Sequence, residues 1–368
     1  QAEAVRHGRK WKHLGKEPAP SNRPFRLHGI PGNLAVFFYN HILAEGISFQ
    51  HFLRDAESLY GRLLEYRKSE SPSHLVHTAT DGEVYGHHEP FGDMCLAALI
   101  KRVHSRDDFE LTNYAAYLDE FPPADEVRLK PGEEGKGTSW SCAHGVSRWY
   151  KDCGCSTGGE DGWNQEWRSP LREAFSYLYD EARSIYLTKM EEFTRADPDE
   201  ILESYVTVEQ SAPAKLDFAK TYLSSYGPLK RVDLNRFFRL LEGQRYGMYM
   251  FTSCGWFFSE ISGLEPVQNM KYAYEVIKLY TPFFTDPRTV LSTFQNILGK
   301  ALSNLESYSD GSDIFEREVI RISRPPEYAA GLLAVEHFTR PGEAAPRRYG
   351  QYETVFYQKK ARPAKKYG

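Results

Sequence analysis

The sequence predicts an α/β part with parallel strands, followed by a mostly helical part. The apolar, β-prone run Leu34–Tyr39 is typical of a strand that is buried on both faces. Apolar residues then recur at helical spacing over Ile47–Tyr66, and a second short apolar run follows at Leu75–Thr80. From Trp167 onward the periodicity is mainly helical. These observations indicate strands and helices that alternate first, and helices alone afterwards.

The remaining elements follow from the same patterns. Asp93–Val103 is predicted to be a helix and Phe109–Tyr117 a further strand, which completes a β-α-β-α-β alternation. Ser169-Pro170 marks the start of a helix that runs toward Phe193, because proline is favoured in a first helical turn. The other predicted elements are helices at Glu200–Val206, Ala214–Ser224, Asp233–Leu241, Met270–Leu279, Val290–Asn304 and Pro326–His337, and a strand at Tyr349–Tyr357.

Composition divides the chain into five segments. Residues 124–165 are rich in Gly, Cys, Trp and charge and carry no long periodic element, which indicates a functional loop region rather than a connection. The segments are an irregular lead-in (1–29), the α/β part (30–123), this loop region (124–165), a helical domain (166–340) and a strand with a basic tail (341–368).

The composition also narrows the function classes. A net charge of −4 argues against general nucleic-acid binding. No apolar run approaches the roughly 20 residues that cross a bilayer, so no membrane partner is expected. Five cysteines without a secretory signal favour reduced thiols and a cytoplasmic location. Aromatic residues make up 14% of the chain, which suits either a carbohydrate cleft or aromatic core packing.

Candidate catalytic residues are concentrated in the stretch Asp81-Gly82-Glu83-Val84-Tyr85-Gly86-His87-His88, directly after the predicted strand Leu75–Thr80. An α/β barrel carries its active site at the C-terminal ends of its strands. Asp81 or Glu83 is therefore a candidate general acid/base, with His87 and His88 orienting a carboxylate or contacting substrate. The structural alternative is that Asp81 only caps the next helix.

A metal site is a further reading of residues 81–89. Carboxylates and imidazoles are common metal ligands. However, the pair of histidines four residues apart that zinc enzymes carry on a helix is absent.

A second cluster of ligand-type residues lies in the loop region. Cys142, His144, Cys153 and Cys155 match the Cys₃His set of structural zinc, although one intervening residue in each pair is tighter than usual. Redox chemistry, buried thiols and plain loop packing are the alternatives. We expect the four side chains to lie near a cleft without all converging, so neither a metal nor a cofactor is predicted, and zinc remains the alternative.

The motifs resemble a known family. Residues 80–87 (TDGEVYGH) resemble the fourth signature region of glycoside hydrolase family 57, in which the aspartate before the Gly-Glu pair is the general acid/base. Several downstream strings resemble an uncharacterised branch of that family, among them Ser139–Val146, Asp152–Cys155 and Phe251–Phe258. The resemblance covers most of residues 30–340. It implies the C-terminal part of a (β/α) barrel followed by a helical domain, and it selects Asp81 over Glu83.

The resemblance also implies an activity. The implied activity is the hydrolysis or transfer of α-linked glucan by a carbohydrate-active enzyme, through the retaining mechanism with two carboxylates. The substrate is then an oligosaccharide or a polysaccharide. The family's nucleophilic glutamate lies on an earlier strand, so we expect it upstream of Gln1 or on a separate N-terminal chain or domain. We therefore expect no appreciable turnover from this chain alone.

Aromatic and imidazole side chains complete the expected site. Trp140 is the preferred sugar-stacking residue, with His144 beside it, and Trp256 is a further contact whose alternative is core packing. Together with His87 and His88 they form the expected substrate-binding set. The competing functions are a non-catalytic glycan-binding remnant, half of a split enzyme, and a metal-dependent hydrolase built on residues 81–89.

Overall fold

The computed structural model shows two compact units, Gln1–Val146 and Ser147–Gly368. The residues that the structure describes are 1–32, 34–67, 74–139, 141–208, 212–223, 231–322, 348–349 and 352–353. None of the helices within these ranges is long and apolar enough to cross a membrane.

The first unit is built on a five-stranded mixed sheet. In chain order its strands are β1 (Ala2–His7), β2 (Lys10–His13), β3 (Phe25–Leu27), β4 (Ala35–Val36) and β5 (Asp125–Leu129). In space they lie in the order β2-β1-β5-β3-β4, and β3 and β5 run parallel while the other neighbours are antiparallel. The predicted α/β character is present, but the described residues form neither an all-parallel sheet nor a complete barrel.

The N-terminal residues form part of this sheet, so the expected irregular lead-in is wrong. Strands β1 and β2 are joined by Gly8-Arg9, with His7 opposite Lys10. Gly8 has a φ of +60°, which side-chain-bearing residues adopt only at a cost. Ala2 and Phe25 pack with Val127 beneath the sheet, and this small apolar cluster fixes the register of the N-terminal strands.

The helices of the first unit are α1 (His41–Phe49), α2 (Ala56–Tyr66), α3 (Gly92–His104) and α4 (Tyr114–Glu120). The helical pattern predicted over Ile47–Tyr66 is interrupted after α1, because His51 adopts a left-handed φ of +58° and Asp55 starts a new helix by capping it. Helix α3 confirms the prediction for Asp93–Val103.

Two predicted strands are absent. Residues 75–80 are extended but pair with no neighbouring strand. They make two isolated backbone hydrogen bonds with different segments: Leu75 N donates to Asn22 O at 3.0 Å, and His77 O accepts from Asn40 N at 3.1 Å. The predicted strand over Phe109–Tyr117 is replaced by the start of α4, whose N-cap Asn113 accepts from Ala116 N at 3.0 Å.

The second unit is helical, as predicted. Its helices are α5 (Arg168–Met190), α6 (Pro198–Tyr205), α7 (Ala212–Leu223), α8 (Arg231–Tyr249), α9 (Leu264–Tyr280), α10 (Pro287–Leu298), α11 (Gly311–Ile314) and a π-helical turn at Phe315–Ile320. The short strands β6 (Arg348–Tyr349) and β7 (Tyr352–Glu353) pair within the region predicted as a strand, and the predicted helix Pro326–His337 lies outside the described residues.

Aromatic side chains dominate the core of this unit. Phe175 of α5 is fully buried, with Trp256 edge-on at 5.9 Å and Phe294 stacked at 6.2 Å between ring centroids. Burying a phenylalanine side chain stabilises a fold by about 1.5–3 kcal/mol, and paired rings add to this. Much of the high aromatic content of the sequence is therefore explained by core packing.

Candidate active site

The stretch Asp81–Glu89, here called the acid-histidine turn, folds around a short 3₁₀ segment. Val84 N donates to Asp81 O at 3.3 Å and Tyr85 N donates to Gly82 O at 3.1 Å. Gly86 follows with a φ of +120°, where any other residue would be strained. The glycines noted in the sequence therefore allow a tight reversal of the chain immediately after the carboxylates.

Two buried side chains fix this turn to the body of the first unit. Val84 is 4% exposed and packs in an apolar cluster with Ile47, Leu53 and Leu59. Gly92 lies so close that a Cβ there would come within 3.1 Å of both Leu53 Cδ1 and Val84 O. The backbone below the acid-histidine turn is therefore closely packed.

Glu89 provides the second anchor. Its buried carboxylate is hydrogen-bonded to His51 Nδ1 and accepts from Arg54 Nε at 3.0 Å. The bond to His51, followed by that to Arg54, lowers the pKa of Glu89, so this carboxylate stays ionised. Glu89 is thus a positioning residue, and the sequence gives no sign of the partner 38 positions away.

The polar side chains of the turn point outward. Asp81, Glu83, His87 and His88 are all exposed, and the two imidazole rings lie 4.8 Å apart. The Asp81 carboxylate does not cap the 3₁₀ segment, and among the described residues it makes no hydrogen bond or ion pair. The expectation of a partly buried Asp81, hydrogen-bonded to Glu83 or a histidine, is therefore wrong for this structure, and so is simple helix capping.

Phe91 is a residue that the sequence analysis missed. Its side chain is 74% exposed, and its backbone has a φ of +66° at the start of α3. A left-handed conformation costs a non-glycine residue of order 1 kcal/mol or more and is concentrated at functional sites. An exposed aromatic ring two residues beyond Glu89 is available to stack on a ligand.

A cleft of about 380 Å³ lies beside the segment that precedes Asp81. Its lining includes Asn22, Asn40, His41, Tyr66, His74 and His77. Burial lowers the pKa of His77, although the nearby backbone carbonyls of Ser21 and Phe38 act in the opposite direction. His77 Nδ1 lies 2.9 Å from the Tyr114 hydroxyl. The cleft therefore combines apolar surface with histidine, tyrosine and asparagine side chains, and Asp81 does not line it.

Strand β5 carries two adjacent buried acids, Asp125 and Glu126. Glu126 accepts from Arg26 at 2.5 Å and bonds His28 at 2.9 Å, and Arg6 lies at 2.5 Å. These contacts, Arg26 first, lower the pKa of Glu126 to about 2. A carboxyl group so strongly held in its charged form is unsuited to general acid catalysis, so Glu126 has a structural role.

The Cys₃His residues of the loop lie close together, which corrects the expectation that they would not converge. The ligand atoms of Cys142, His144, Cys153 and Cys155 all lie within 4.8 Å of one another. Within the described ranges this is the one group of three or more such residues with metal-site geometry, so residues 81–89 do not form one. His144, expected as a sugar contact, belongs to this cluster instead.

The tryptophans divide between the core and the loop. Trp256 is fully buried, with Nε1 donating to Arg168 O at 3.3 Å, so the predicted substrate contact is wrong and the core alternative is correct. Trp149 Nε1 donates to Ser253 O at 3.1 Å and holds the loop to the helices of its unit. Trp140, the preferred stacking residue, lies outside the described residues.

Comparisons with known proteins define the class. Residues 9–130 match the family described as "Glycosyl hydrolase family 57", which confirms the resemblance drawn from the motifs, and this range contains the acid-histidine turn. Residues 163–363 match the family described as "Domain of unknown function (DUF3536)". Because that match covers more than half of its 368 residues, the chain belongs to the DUF3536 family.

A solved structure shares the fold. The chain is similar to an exo-type maltose-forming amylase from Pyrococcus sp. ST04, with a TM-score of 0.57 and 14% identity over 86% of this chain. The match spans 62% of the length of that amylase. At this identity the likeness shows the fold alone. No curated protein matches the chain.

Proposed function

We propose that this chain is the part of a carbohydrate-active enzyme that supplies the general acid/base for cleaving or transferring α-linked glucan. The observation that carries the proposal is the state of Asp81. Its carboxylate is exposed, does no capping, and projects from a turn that Val84 and Glu89 hold from below. It lies in the range that matches family 57. The substrate class follows from the amylase of similar fold.

The chemistry follows the retaining route. Asp81, protonated, gives its proton to the glycosidic oxygen as the bond to the anomeric carbon breaks. A second carboxylate attacks that carbon and forms the glycosyl-enzyme intermediate. Asp81, now ionised, removes a proton from water or from a sugar hydroxyl, which then displaces the enzyme carboxylate. The two carboxyl groups must come about 5–5.5 Å apart, and the nucleophile is not among the residues we assign.

The neighbours of Asp81 have supporting roles in this proposal. A bound sugar would cover the exposed carboxylate and exclude water from the reacting atoms. His87 and His88 would donate hydrogen bonds to sugar hydroxyls, and Phe91 would stack on a ring face. Glu83 remains the second candidate for the acid/base from its chemistry alone.

The competing functions have less support. A metal-dependent hydrolase at residues 81–89 would need convergent ligands, and the described cluster with such geometry is elsewhere. A glycan-binding remnant, or half of a split enzyme, would use the same surface without a nucleophile. The distinction between these and an intact enzyme is kinetic, because binding requires no second carboxylate.

The decisive experiment is chemical rescue. Wild type and Asp81→Ala are incubated with an aryl α-maltooligoside, whose leaving group needs no protonation, with and without azide. We expect Asp81→Ala to lose about 10²–10⁴-fold in kcat on maltooligosaccharides but far less on the aryl substrate. Azide should restore turnover and give an α-glycosyl azide, since azide takes the place of the deprotonated water in the second step. Glu83→Ala, the matched control, should be little changed.

The assay must include the longest protein that carries this chain, as well as the chain itself. Turnover by the longer protein but not by this chain would support a nucleophile outside these residues. Turnover by both proteins would support a nucleophile within them. Equal loss on both substrates without azide rescue would refute the role of Asp81. Saturable maltooligosaccharide binding without turnover in either protein would favour the glycan-binding alternative.

A further inference from the structure

A cluster of three thiols and one imidazole in the loop between Ser139 and Trp163 carries an inference that is independent of the glycosidase proposal. We propose that Cys142, His144, Cys153 and Cys155 bind one structural zinc ion in a closed tetrahedral site. The family matches do not assign a metal to these residues.

The separation of the ligand atoms is the first argument. All four lie within 4.8 Å of one another, and Cys142 Sγ is 3.9 Å from His144 Nδ1. A tetrahedral zinc ion with Zn–S bonds of about 2.3 Å holds its sulfur ligands about 3.8 Å apart. Shortening the longest of these separations by about 1 Å would therefore bring the four atoms to zinc distances. Iron–sulfur clusters need thiolates spread around several irons, so a single ion fits better.

The backbone holds the first ligand pair in position without a metal. Ser139 Oγ accepts from Cys142 N at 3.1 Å and donates to Gly145 O at 2.8 Å, which closes the turn that carries Cys142 and His144. Gly145 has a φ of +67°, and a Cβ there would come within 2.8 Å of Gly137 O. This turn therefore requires glycine immediately after the histidine.

The second pair is arranged in a similar way. Gly154, between the two cysteines, has a φ of +78°, and its N–H donates to Asp152 Oδ1 at 2.7 Å. Asp152 Oδ2 accepts from Gln165 N at 3.2 Å, so the turn is tied to the residues that precede α5. The short C-x-C spacing, unusual for zinc, is accommodated by this left-handed glycine.

Two buried arginines near the cluster provide independent support for a negatively charged metal centre. Three thiolates around a divalent ion leave a net charge of about −1. Arg168 is fully buried, and Nη1 donates to Cys155 O at 2.8 Å. Its Nε and Nη2 atoms have no hydrogen-bond partner among the described residues, and the side chain lies within electrostatic range of Cys153 and Asp152. Buried guanidinium donors are normally satisfied by acceptors or anions, and a zinc–thiolate centre would add negative charge beside that of Asp152.

Arg148 strengthens this argument. It is 5% exposed, its guanidinium lies 4.7 Å from the centroid of the Phe257 ring, and its Nε and Nη1 atoms also lack partners in the described part of the chain. Arg148 and Arg168 are close enough to repel each other electrostatically. An anionic zinc–thiolate centre would offset that repulsion and accept N–H···S bonds, the outer contacts that metal sites typically require.

Four protein ligands leave no open position for substrate or water, so the ion would have a structural role. It would fix the Gly-rich loop whose turns are formed at Gly145 and Gly154. Zinc binding releases thiol protons, so retention of the metal should weaken in acid.

The test measures metal in the intact chain. After purification under reducing conditions with zinc in the medium, elemental analysis should find about one zinc per chain. Cys153→Ser should lose it. Cys254→Ser, which changes an exposed cysteine outside the cluster, should retain it. Replacement of zinc by Co²⁺ in the wild type should give thiolate-to-cobalt charge-transfer bands and the intense visible bands of a tetrahedral ion.

The cobalt measurement decides the matter even if Cys153→Ser fails to fold, because it needs no variant. Wild-type protein that binds neither zinc nor Co²⁺ under reducing conditions would overturn the proposal. So would an octahedral cobalt spectrum, iron in place of zinc, or one zinc retained by both Cys153→Ser and Cys142→Ser. Removal of the metal by a chelator should also accelerate tryptic cleavage at Lys151, whereas an unchanged cleavage rate would contradict a structural role.

Discussion

His51 and Glu89 are 38 positions apart in the sequence, yet His51 Nδ1 is hydrogen-bonded to the Glu89 carboxylate. His51 occupies the break between α1 and α2, where its backbone is left-handed. The acid-histidine turn is therefore tied to the point where the preceding helical segment is interrupted, and the position of Asp81 depends on a residue far from it in sequence.

The first prediction concerns Glu89→Gln. The substitution should destabilise the first unit at pH 7 and have a smaller effect near pH 3. The bond to His51, then that to Arg54, lowers the folded-state pKa of Glu89. Its contribution to stability is thus present above the ordinary glutamate pKa and is lost as the pH falls through the lowered value. Urea unfolding at both pH values measures this. Glu83→Gln, at an exposed position, is the control, and equal effects at the two pH values would contradict the account.

The second prediction separates function from stability within one turn. Asp81→Asn should change the free energy of unfolding by no more than about 0.5 kcal/mol, because the exposed carboxylate has no described partner. Val84→Ala should cost about 1–3 kcal/mol, since it empties part of a buried cluster. Denaturant unfolding of both variants checks this. A large loss in Asp81→Asn would mean that Asp81 has a structural role.

The third prediction is a pH dependence that arises from His77. Burial is the main cause that lowers its pKa in the folded chain, so the unfolded chain binds the proton more tightly. Stability should therefore be greatest above the ordinary histidine pKa of about 6.5 and decline as the pH falls below it toward the folded value. His77→Gln should flatten this part of the stability curve, whereas His87→Gln, at an exposed position, should leave it unchanged. NMR titration of the His77 ring gives the folded pKa directly.

The fourth prediction compares two helical glycines. A Cβ on Gly243 would come within 1.9 Å of Tyr280 Cε2. That ring cannot easily move, since its hydroxyl donates to Leu240 O and accepts from Gln244 Nε2. Gly243→Ala should cost about 1–3 kcal/mol or more. Gly61→Ala meets nothing within 4 Å and should stabilise its helix by about 0.5–1 kcal/mol. Thermal unfolding distinguishes the two, and a neutral Gly243→Ala would show that the Tyr280 ring can yield.

The helical half of the chain could be predicted because its signal is local. In α5, Leu171, Phe175, Leu178 and Ala182 repeat at helical spacing and are all buried. The strand predicted at 75–80 failed for the opposite reason. An apolar run shows that a segment is extended, but its pairing depends on residues such as Asn22 and Asn40, which are distant in sequence.

Some of the wrong predictions could have been corrected from residues in the sequence itself. Asn113, three residues before Ala116, is a helix cap and contradicted the predicted strand there. Gly8 between two short alternating runs marks the hairpin of β1 and β2.

The Cys₃His residues were found from their types alone, but their convergence depends on left-handed turns at Gly145 and Gly154. Trp256 was wrongly predicted to contact substrate. The neighbouring Gly255 lets Asn269 pack directly against the backbone, since the Asn269 Nδ2 atom would lie 2.1 Å from a Cβ at that position.

The strand order β2-β1-β5-β3-β4 has a consequence for synthesis on the ribosome. The central strand β5 is the last of the five to be made, and it inserts between two hairpins that are complete about a hundred residues earlier. Until residues 125–129 emerge, one edge of each hairpin has unpaired backbone groups, and Arg6, Arg26 and His28 lack their carboxylate. A nascent chain of this length would have open strand edges that invite pairing with other chains, so chaperone binding should be greatest just before β5 leaves the exit tunnel.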